Sequence, residues 1–135
     1  PEGEAAIMVQ RAVPMGQRLF AIWQREDGHW QRTCVPPARI GGITSNLVYD
    51  PHGSLHFVFI DRTRSETWLF TNSNGRWTRR LVRMSQRFRD EDMTKHWLRP
   101  VLAARADGTL SLLVAYSDTE GGNLTRYRLR PAVTD

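Results

Sequence analysis

The feature that most constrains the fold of this chain is a hairpin signal that occurs twice. Asp27-Gly28 and Asn74-Gly75 each lie between two apolar runs of alternating pattern. Such dipeptides favour two-residue β-hairpin turns, because both central residues need a positive φ. In each copy a tryptophan opens the second strand, and these two residues, Trp30 and Trp77, are 47 positions apart. The sequence therefore predicts antiparallel hairpins that repeat.

A second repeated unit consists of a short apolar strand, a turn and a longer apolar strand. One copy covers residues 46–61, and the other covers residues 99–116. Their turn glycines, Gly53 and Gly108, are 55 positions apart. The additional positions fit into the loop 84–97, which lies between the two copies. Both spacings then fit one unit of about 45–50 residues, the size of a four-stranded propeller blade.

These repeats predict an all-β fold. We expect a single β-propeller-like segment over residues 1–135 with about two and a half four-stranded antiparallel blades: a partial blade at 6–35, a full blade at 46–83 and a partial blade at 99–130. A β-sandwich of about ten strands is the alternative. Because an open array leaves long apolar edges, which natural proteins avoid, we expect a companion propeller segment or copies of the chain to complete the ring.

The run from Asp50 to Phe59, followed by Asn74-Gly75-Arg76-Trp77, resembles the repeats of sialidase-like propeller proteins of the BNR type. These families carry an Asp-box, Ser-x-Asp-x-Gly-x-Thr-Trp, between the two outer strands of a blade. Residues 71–77 occupy that turn, with Ser73 where the family has Asp. The resemblance implies a propeller fold and favours an extracytoplasmic location. The arginine triad and the Tyr–Glu pair of sialidases have no match in this sequence.

The composition bounds the partners. The formal net charge is +5 and the pI is about 10.3, a balance that raises nucleic acid as a partner. However, Lys95 is the only lysine, and the arginines are dispersed along the predicted strands. We therefore expect solvated strand faces and no nucleic-acid partner. No apolar run approaches the roughly 20 residues of a membrane helix, so no membrane partner is predicted.

Several chemistries lack their sequence signals. Cys34 is the single cysteine, which excludes an intrachain disulfide. The four histidines have no ligand spacing such as His-x-x-x-His, so no metal site is predicted. The pairs Gly41-Gly42 and Gly121-Gly122 precede no predicted helix that could bind a phosphate. The sequence therefore predicts no cofactor.

Charged residues gather in three predicted loops that a propeller would bring to one rim. Loops on a rigid scaffold commonly carry binding residues, although a solvated rim of mutually neutralising charges explains the same pattern. The candidate ligand-binding residues are Arg62, Arg64, Glu66, Arg87, Arg89, Asp90, Asp92, His96, Trp97 and Asp118. We expect a non-catalytic binding or structural part of a propeller, with carbohydrate or protein as ligand. The alternative is part of a sialidase-like glycoside hydrolase, for which no catalytic residue can be assigned.

The five tryptophans divide into three groups. Trp30 and Trp77 occupy equivalent repeat positions, which predicts packing between hairpins. Trp23 and Trp68 fall in the middle of strands and are predicted to be core residues. Trp97 ends the long loop and is the best candidate of the five for a ring that faces a ligand, with packing as the alternative.

Overall fold

The computed structural model describes residues 5–13, 17–35, 38–39, 42–61, 64, 66–82, 97–118 and 121–130. Within these ranges the chain forms strands and no helix, so the prediction of an all-β fold is confirmed. No described segment is a helix with the length and apolar character needed to span a membrane. The strands are Ala5–Val13 (β1), Gln17–Glu26 (β2), His29–Cys34 (β3), Ala38–Arg39 (β4), Gly42–Thr44 (β5), Val48–Tyr49 (β6), Leu55–Asp61 (β7), Glu66–Ser73 (β8), Arg76–Val82 (β9), Trp97–Ala104 (β10), Leu110–Asp118 (β11) and Gly121–Leu129 (β12).

The strands form three antiparallel sheets that follow one another along the chain. The first sheet has the order β1-β2-β3, with β4 pairing with β2 as well. In the central sheet, β5 and β6 pair with successive parts of β7, and the order continues to β8 and β9. The last sheet has the order β10-β11-β12. The described strands thus form three sheets, one more than a β-sandwich has.

Both predicted two-residue turns are confirmed. Asp27 and Gly28 join β2 to β3 with φ values of 48° and 80°. Asn74 and Gly75 join β8 to β9 with φ values of 53° and 77°. Positive φ at both central residues defines the turn whose twist matches that of the flanking strands. The 47-residue spacing therefore relates two turns with the same backbone conformation.

The 55-residue spacing also relates two turns of one conformation. In the turn before β7, the Asp50 N–H donates to the Ser54 carbonyl at 2.9 Å, and the Gly53 N–H donates to the Asp50 carbonyl at 3.0 Å. In the turn before β11, Arg105, Gly108 and Thr109 make the corresponding bonds at 2.8 and 3.0 Å. The two glycines have φ values of 82° and 77°. Sequence comparison alone thus identified the equivalent residues correctly.

The strand β7 is buried on both of its faces. All seven of its residues are buried, and successive side chains of a strand point to opposite sides. Phe57 points towards the first sheet. It stacks on Phe70 of the neighbouring strand β8 at 4.6 Å between ring centroids, and it meets the edge of Phe20 of the first sheet. Val58 and Ile60 pack towards the last sheet in a separate cluster. The central sheet therefore lies between the other two and contributes to both hydrophobic cores.

The three sheets stack in one direction. We call the face of the central sheet that carries Phe57 and Phe70 its front, and the face that carries Val58 and Leu69 its back. The front of the central sheet covers the first sheet. Leu112 of the last sheet is equivalent to Phe57 by the 55-residue spacing, and it packs against the back of the central sheet. Front therefore meets back at both interfaces between sheets.

Polar side chains join neighbouring sheets. The pairing of the central sheet's first strand with β7 is interrupted between β5 and β6. There, Asn46 donates from its side-chain amide to the Leu102 carbonyl at 2.9 Å and accepts from the Leu102 N–H at 2.8 Å. The amide thus imitates a peptide group and links the central sheet to β10.

The packing predictions are confirmed for Trp68 and Trp77 and are wrong for Trp23 and Trp30. Trp77 and Trp68 are half-buried against the front cluster of the central sheet. Trp23 is 39% exposed, so it is not a core residue of the described chain. Its side of the first sheet faces away from the central sheet, and strand position alone does not reveal which sheet faces are covered. Trp30 is 45% exposed on that same side, so its predicted packing between hairpins is absent here.

Candidate functional site

The most connected polar group of the described chain is a buried network at one end of β7. Asp50 accepts hydrogen bonds at Oδ1 from the backbone N–H groups of His52 and Ser54, both at 2.9 Å. Its Oδ2 lies 2.9 Å from His56 Nε2. The other ring nitrogen, Nδ1, lies 3.0 Å from Thr71 Oγ1. The network thus joins the turn before β7, β7 itself and β8.

The electrostatics of the network favour an ionised carboxylate. Burial, the largest influence, raises the pKa of Asp50. The hydrogen bond from His56, the N–H of Ser54, the charge of His56 and the N–H of His52 act in the opposite direction. Together they hold the pKa of Asp50 below its ordinary value of 3.8. The carboxylate is therefore charged at neutral pH and available as an acceptor on both oxygens.

A carboxylate, an imidazole and a hydroxyl in line also occur in nucleophilic enzymes, where the hydroxyl attacks substrate. Here His56 is 0% exposed and both of its ring nitrogens are engaged within the protein. Buried polar groups must be hydrogen-bonded or they destabilise the fold. The network therefore stabilises the turn and its connection to β7 and β8.

The sequence analysis does not predict this network, because the spacing of His56 from the other histidines only argues against a metal site. The available signal was the position of His56 between Leu55 and Phe57 in an apolar strand. A polar side chain inside a fully buried strand requires a partner, and Asp50 opens the turn that leads into that strand. The partner Thr71 lies on another strand, and only the register of β7 with β8 brings it opposite His56.

Four of the predicted rim residues lie in the described part of the chain. Arg64 is exposed between β7 and β8, where its backbone N–H donates to Asp61 Oδ1 at 3.2 Å. Glu66 Oε2 accepts from the Trp68 indole N–H at 3.2 Å. In the last sheet, Trp97 begins β10 opposite Ser117, and Asp118 ends β11. The register thus brings Trp97 and Asp118 to one end of the last sheet.

The other rim predictions concern residues outside the described ranges, so they stay predictions. These residues are Arg62, Arg87, Arg89, Asp90, Asp92 and His96. The rim as a combined site, carried by three loops, is likewise a prediction. Of its parts, the structure places Arg64 and Glu66 together at the β7–β8 connection.

The face of the first sheet that points away from the central sheet is an exposed surface of apolar and basic residues. By the 47-residue spacing, this face corresponds to the front of the central sheet. Ile7 and Val9 on β1 are 52% and 51% exposed. Trp23 lies opposite Arg32 on the neighbouring strand, and Arg25 lies opposite Trp30. We call the surface formed by these six residues the open front: Ile7, Val9, Trp23, Arg25, Trp30 and Arg32. Large exposed apolar patches mark interaction sites in folded proteins.

The described residues contain no group of three or more His, Cys, Asp or Glu side chains that could hold a metal ion. With respect to known proteins, the chain matches no family model, and no curated protein or solved structure is significantly similar to it.

Proposed function

We propose that this chain is a non-catalytic binding or structural part of a β-propeller, with a carbohydrate or protein ligand on the loop rim. The observation that carries the proposal is the front-to-back stacking of three successive antiparallel sheets. Sheets stacked in one direction, each related to the next by a sequence repeat, are what a propeller ring requires. A ring would also cover the two faces that are open in this chain.

The strand order supports the same proposal. The central sheet has its first strand, β5 and β6, on one edge and β9 on the other, as in a four-stranded blade. In the last sheet, β10, β11 and β12 take the places of the first three of these strands. In the first sheet, β1, β2 and β3 take the places of the last three. The full blade at 46–83 and its partial neighbours are thus proposed as consecutive members of one ring.

The ligand is proposed to bind at the end of the sheets where β7 connects to β8. Arg64 is exposed there, and the β11–β12 connection lies at the corresponding end of the last sheet. The opposite end carries the buried Asp50 network, whose hydrogen-bonding groups are used within the protein. The rim therefore offers polar groups to a ligand, whereas the opposite end uses them for stability.

The proposal is tested by screening the labelled 135-residue chain on a glycan microarray, together with Arg64→Ala and the control Arg76→Ala. Arg76 is also an exposed arginine, but it begins β9 at the opposite end of the same sheet. We expect R64A to lose binding and R76A to retain it. Equal binding by both variants, or turnover of fluorogenic glycosides by the wild-type chain, would contradict the proposal.

If no glycan is bound, a protein ligand is tested by the same two variants in a display selection of peptide binders against the wild-type chain. Binders that depend on Arg64 and not on Arg76 support the rim. Binders that depend on neither residue place the ligand elsewhere.

A further inference from the structure

We propose that the open front docks a β-sheet of a companion chain or segment with an acidic facing surface, and not a second copy of this chain. The inference rests on the proposed function for the geometry of docking. It goes further in naming the surface, the chemistry of its partner and the feature that discriminates against self-association.

The covered front of the central sheet shows how such a face is used. There, the Trp77 indole N–H donates to Thr33 Oγ1 of the first sheet at 3.1 Å. Asn72 donates to Gln24 Oε1 at 3.0 Å, and both side chains are buried. One tryptophan and one amide of the central sheet thus donate across the interface, where Gln24 and Gln10 of the first sheet also donate to Tyr49 Oη and Thr44 Oγ1.

The open front carries the equivalent tryptophan but a different polar residue. By the 47-residue spacing, Trp30 takes the position of Trp77, and Arg25 takes the position of Asn72. Trp30 is 45% exposed and has Arg25 directly opposite on the neighbouring strand. The open front thus has the same tryptophan as the covered sheet interface. At the position of Asn72, however, it has Arg25, whose charge favours a negatively charged acceptor.

The corresponding face of a second copy places an arginine, and not an acceptor, at the position opposite Arg25. If the second copy stacked front to back, as the sheets do at both internal interfaces, the back of its last sheet would meet the open front. Thr71 on β8 is equivalent to Gln24 on β2 by the 47-residue spacing. Thr71 is also equivalent to Arg128 on β12, because the 55-residue spacing relates β7 to β11 and the registers relate β7 to β8 and β11 to β12. Arg25 would therefore meet Arg128, where the internal interface pairs Asn72 with Gln24. Like charges placed opposite each other at an interface cost several kcal/mol and suppress that pairing.

Charge along the rest of the two faces has the same sign. Arg32 lies on the open front, and Arg126 lies on the back of the last sheet beside Arg128. Arg128 is partly neutralised by Asp107 at 2.8 Å, but Arg126 is exposed. The partner sheet that fits the open front therefore has aliphatic side chains at its centre, a hydroxyl acceptor for Trp30 and carboxylates opposite Arg25 and Arg32.

The test reverses the charge of the open front, so that the chain becomes its own partner. The double variant R25E/R32E places a carboxylate opposite Arg128 of a second copy and makes the open front acidic where it faces the basic back of the last sheet. Light scattering and sedimentation at low salt should find the wild-type chain monomeric. The double variant should associate at least about tenfold more tightly. Adding Trp30→Ser should return it to a monomer.

A matched control separates the face from net charge. The variant R64E/R76E makes the same change in net charge with two exposed arginines of the central sheet region, outside both the open front and the back of the last sheet, and it should stay monomeric. Circular dichroism and urea midpoints establish that all variants fold. Association by R64E/R76E to the same degree as R25E/R32E would overturn the proposal.

A measurement on the wild-type chain needs no variant. Because repulsion between arginines keeps copies apart, raising the salt concentration should promote association of the wild-type chain. Three outcomes overturn the inference: a wild-type oligomer at low salt that W30S dissociates, which makes a second copy the occupant; an R25E/R32E variant that stays monomeric; and retention on heparin that R25E/R32E abolishes, which assigns the surface to a polyanion. None of these outcomes tests ligand binding at Arg64, so failure here is distinguishable from failure of the proposed function.

Discussion

The two turns that enter β7 and β11 have the same backbone and different chemistry. Each begins with a residue whose N–H and carbonyl close the turn, and each has a glycine with positive φ at its fourth position. In the first turn the carboxylate belongs to the opening residue, Asp50, which is 5% exposed. In the second turn it belongs to the third residue, Asp107, which is 48% exposed.

The difference follows from what covers each turn. Asp50 reaches inwards to His56, on the face of the central sheet that the last sheet covers. Asp107 stays at the surface, where its Oδ1 accepts from the N–H and the hydroxyl of Thr109 and its Oδ2 pairs with Arg128. The comparison teaches that one turn geometry is compatible with two placements of the carboxylate. Burial decides how much stability each placement provides.

The largest expected effect comes from removing the buried carboxylate of Asp50. Asp50→Ala takes an acceptor from two backbone N–H groups and leaves His56 buried without its charged partner. Breaking such a buried pair costs about 3–5 kcal/mol. We expect urea denaturation to measure a loss of this size for D50A.

The matched variant is Asp107→Ala, which alters the exposed carboxylate of the equivalent turn. Its hydrogen bonds are replaced by water, so we expect a much smaller loss. Similar losses for the two variants would mean that burial does not distinguish the turns.

A smaller effect is expected from the turn glycines. Alanine at Gly53 or Gly108 must adopt a left-handed conformation, which costs about 1–2 kcal/mol. At Gly108 the new methyl group would also lie 3.1 Å from His52 Nε2 of the other turn, whereas nothing lies within 4 Å of the position at Gly53. Because His52 is exposed and can move, the excess cost of G108A over G53A should be small.

The double variant G108A/H52A checks this interpretation of the glycines. It should unfold at the urea concentration expected from backbone strain alone. If H52A does not reduce the excess cost of G108A, the two turns do not touch in the way described.

The smallest effect is expected in the acid range. The pKa of Asp50 is lowered on folding, so the unfolded chain binds more protons than the folded chain below about pH 4. Stability from this group is therefore complete above the ordinary pKa of 3.8 and is lost as pH falls through the lower folded value. Asp50→Asn removes this contribution.

The measurement is the free energy of unfolding between about pH 5 and pH 3. It should fall less steeply for D50N than for the wild-type chain. Asp107 also has a lowered pKa, chiefly because the Thr109 side chain and backbone donate to it. The exposure of Asp107 should keep the effect of D107N on the slope smaller, and a larger effect of D107N would reverse the comparison.

Much of the fold was predictable because turn chemistry is local. Asp27-Gly28, Asn74-Gly75 and the glycines 55 positions apart fixed the hairpins and their equivalence, since few residues tolerate a positive φ. The three-sheet stack could not be derived from these turns. Sequence periodicity reports which side of a strand is apolar, but not whether that side is covered. Trp23 illustrates the gap, because its apolar side lies on the open front.

The candidate sites show the same limit, because contacts between distant strands cannot be predicted from local sequence. The network of Asp50, His56 and Thr71 joins residues up to 21 positions apart and depends on the register of β7 with β8. A local motif search has no access to that register. The rim prediction used loop positions and charge alone. What the rim residues bind depends on neighbouring loops and stays a prediction.

The burial of β7 on both faces has a consequence for how the molecule comes apart. Because this one strand supplies side chains to both hydrophobic clusters, neither outer sheet can detach without exposing residues that the central sheet shares with it. We expect the amide hydrogens of β7 to exchange with solvent only through global opening, and those of β1 and β12 to exchange earlier. A single strand thus sets the cooperativity of the entire stack, and its exchange rate is the most direct measure of the stability of the chain.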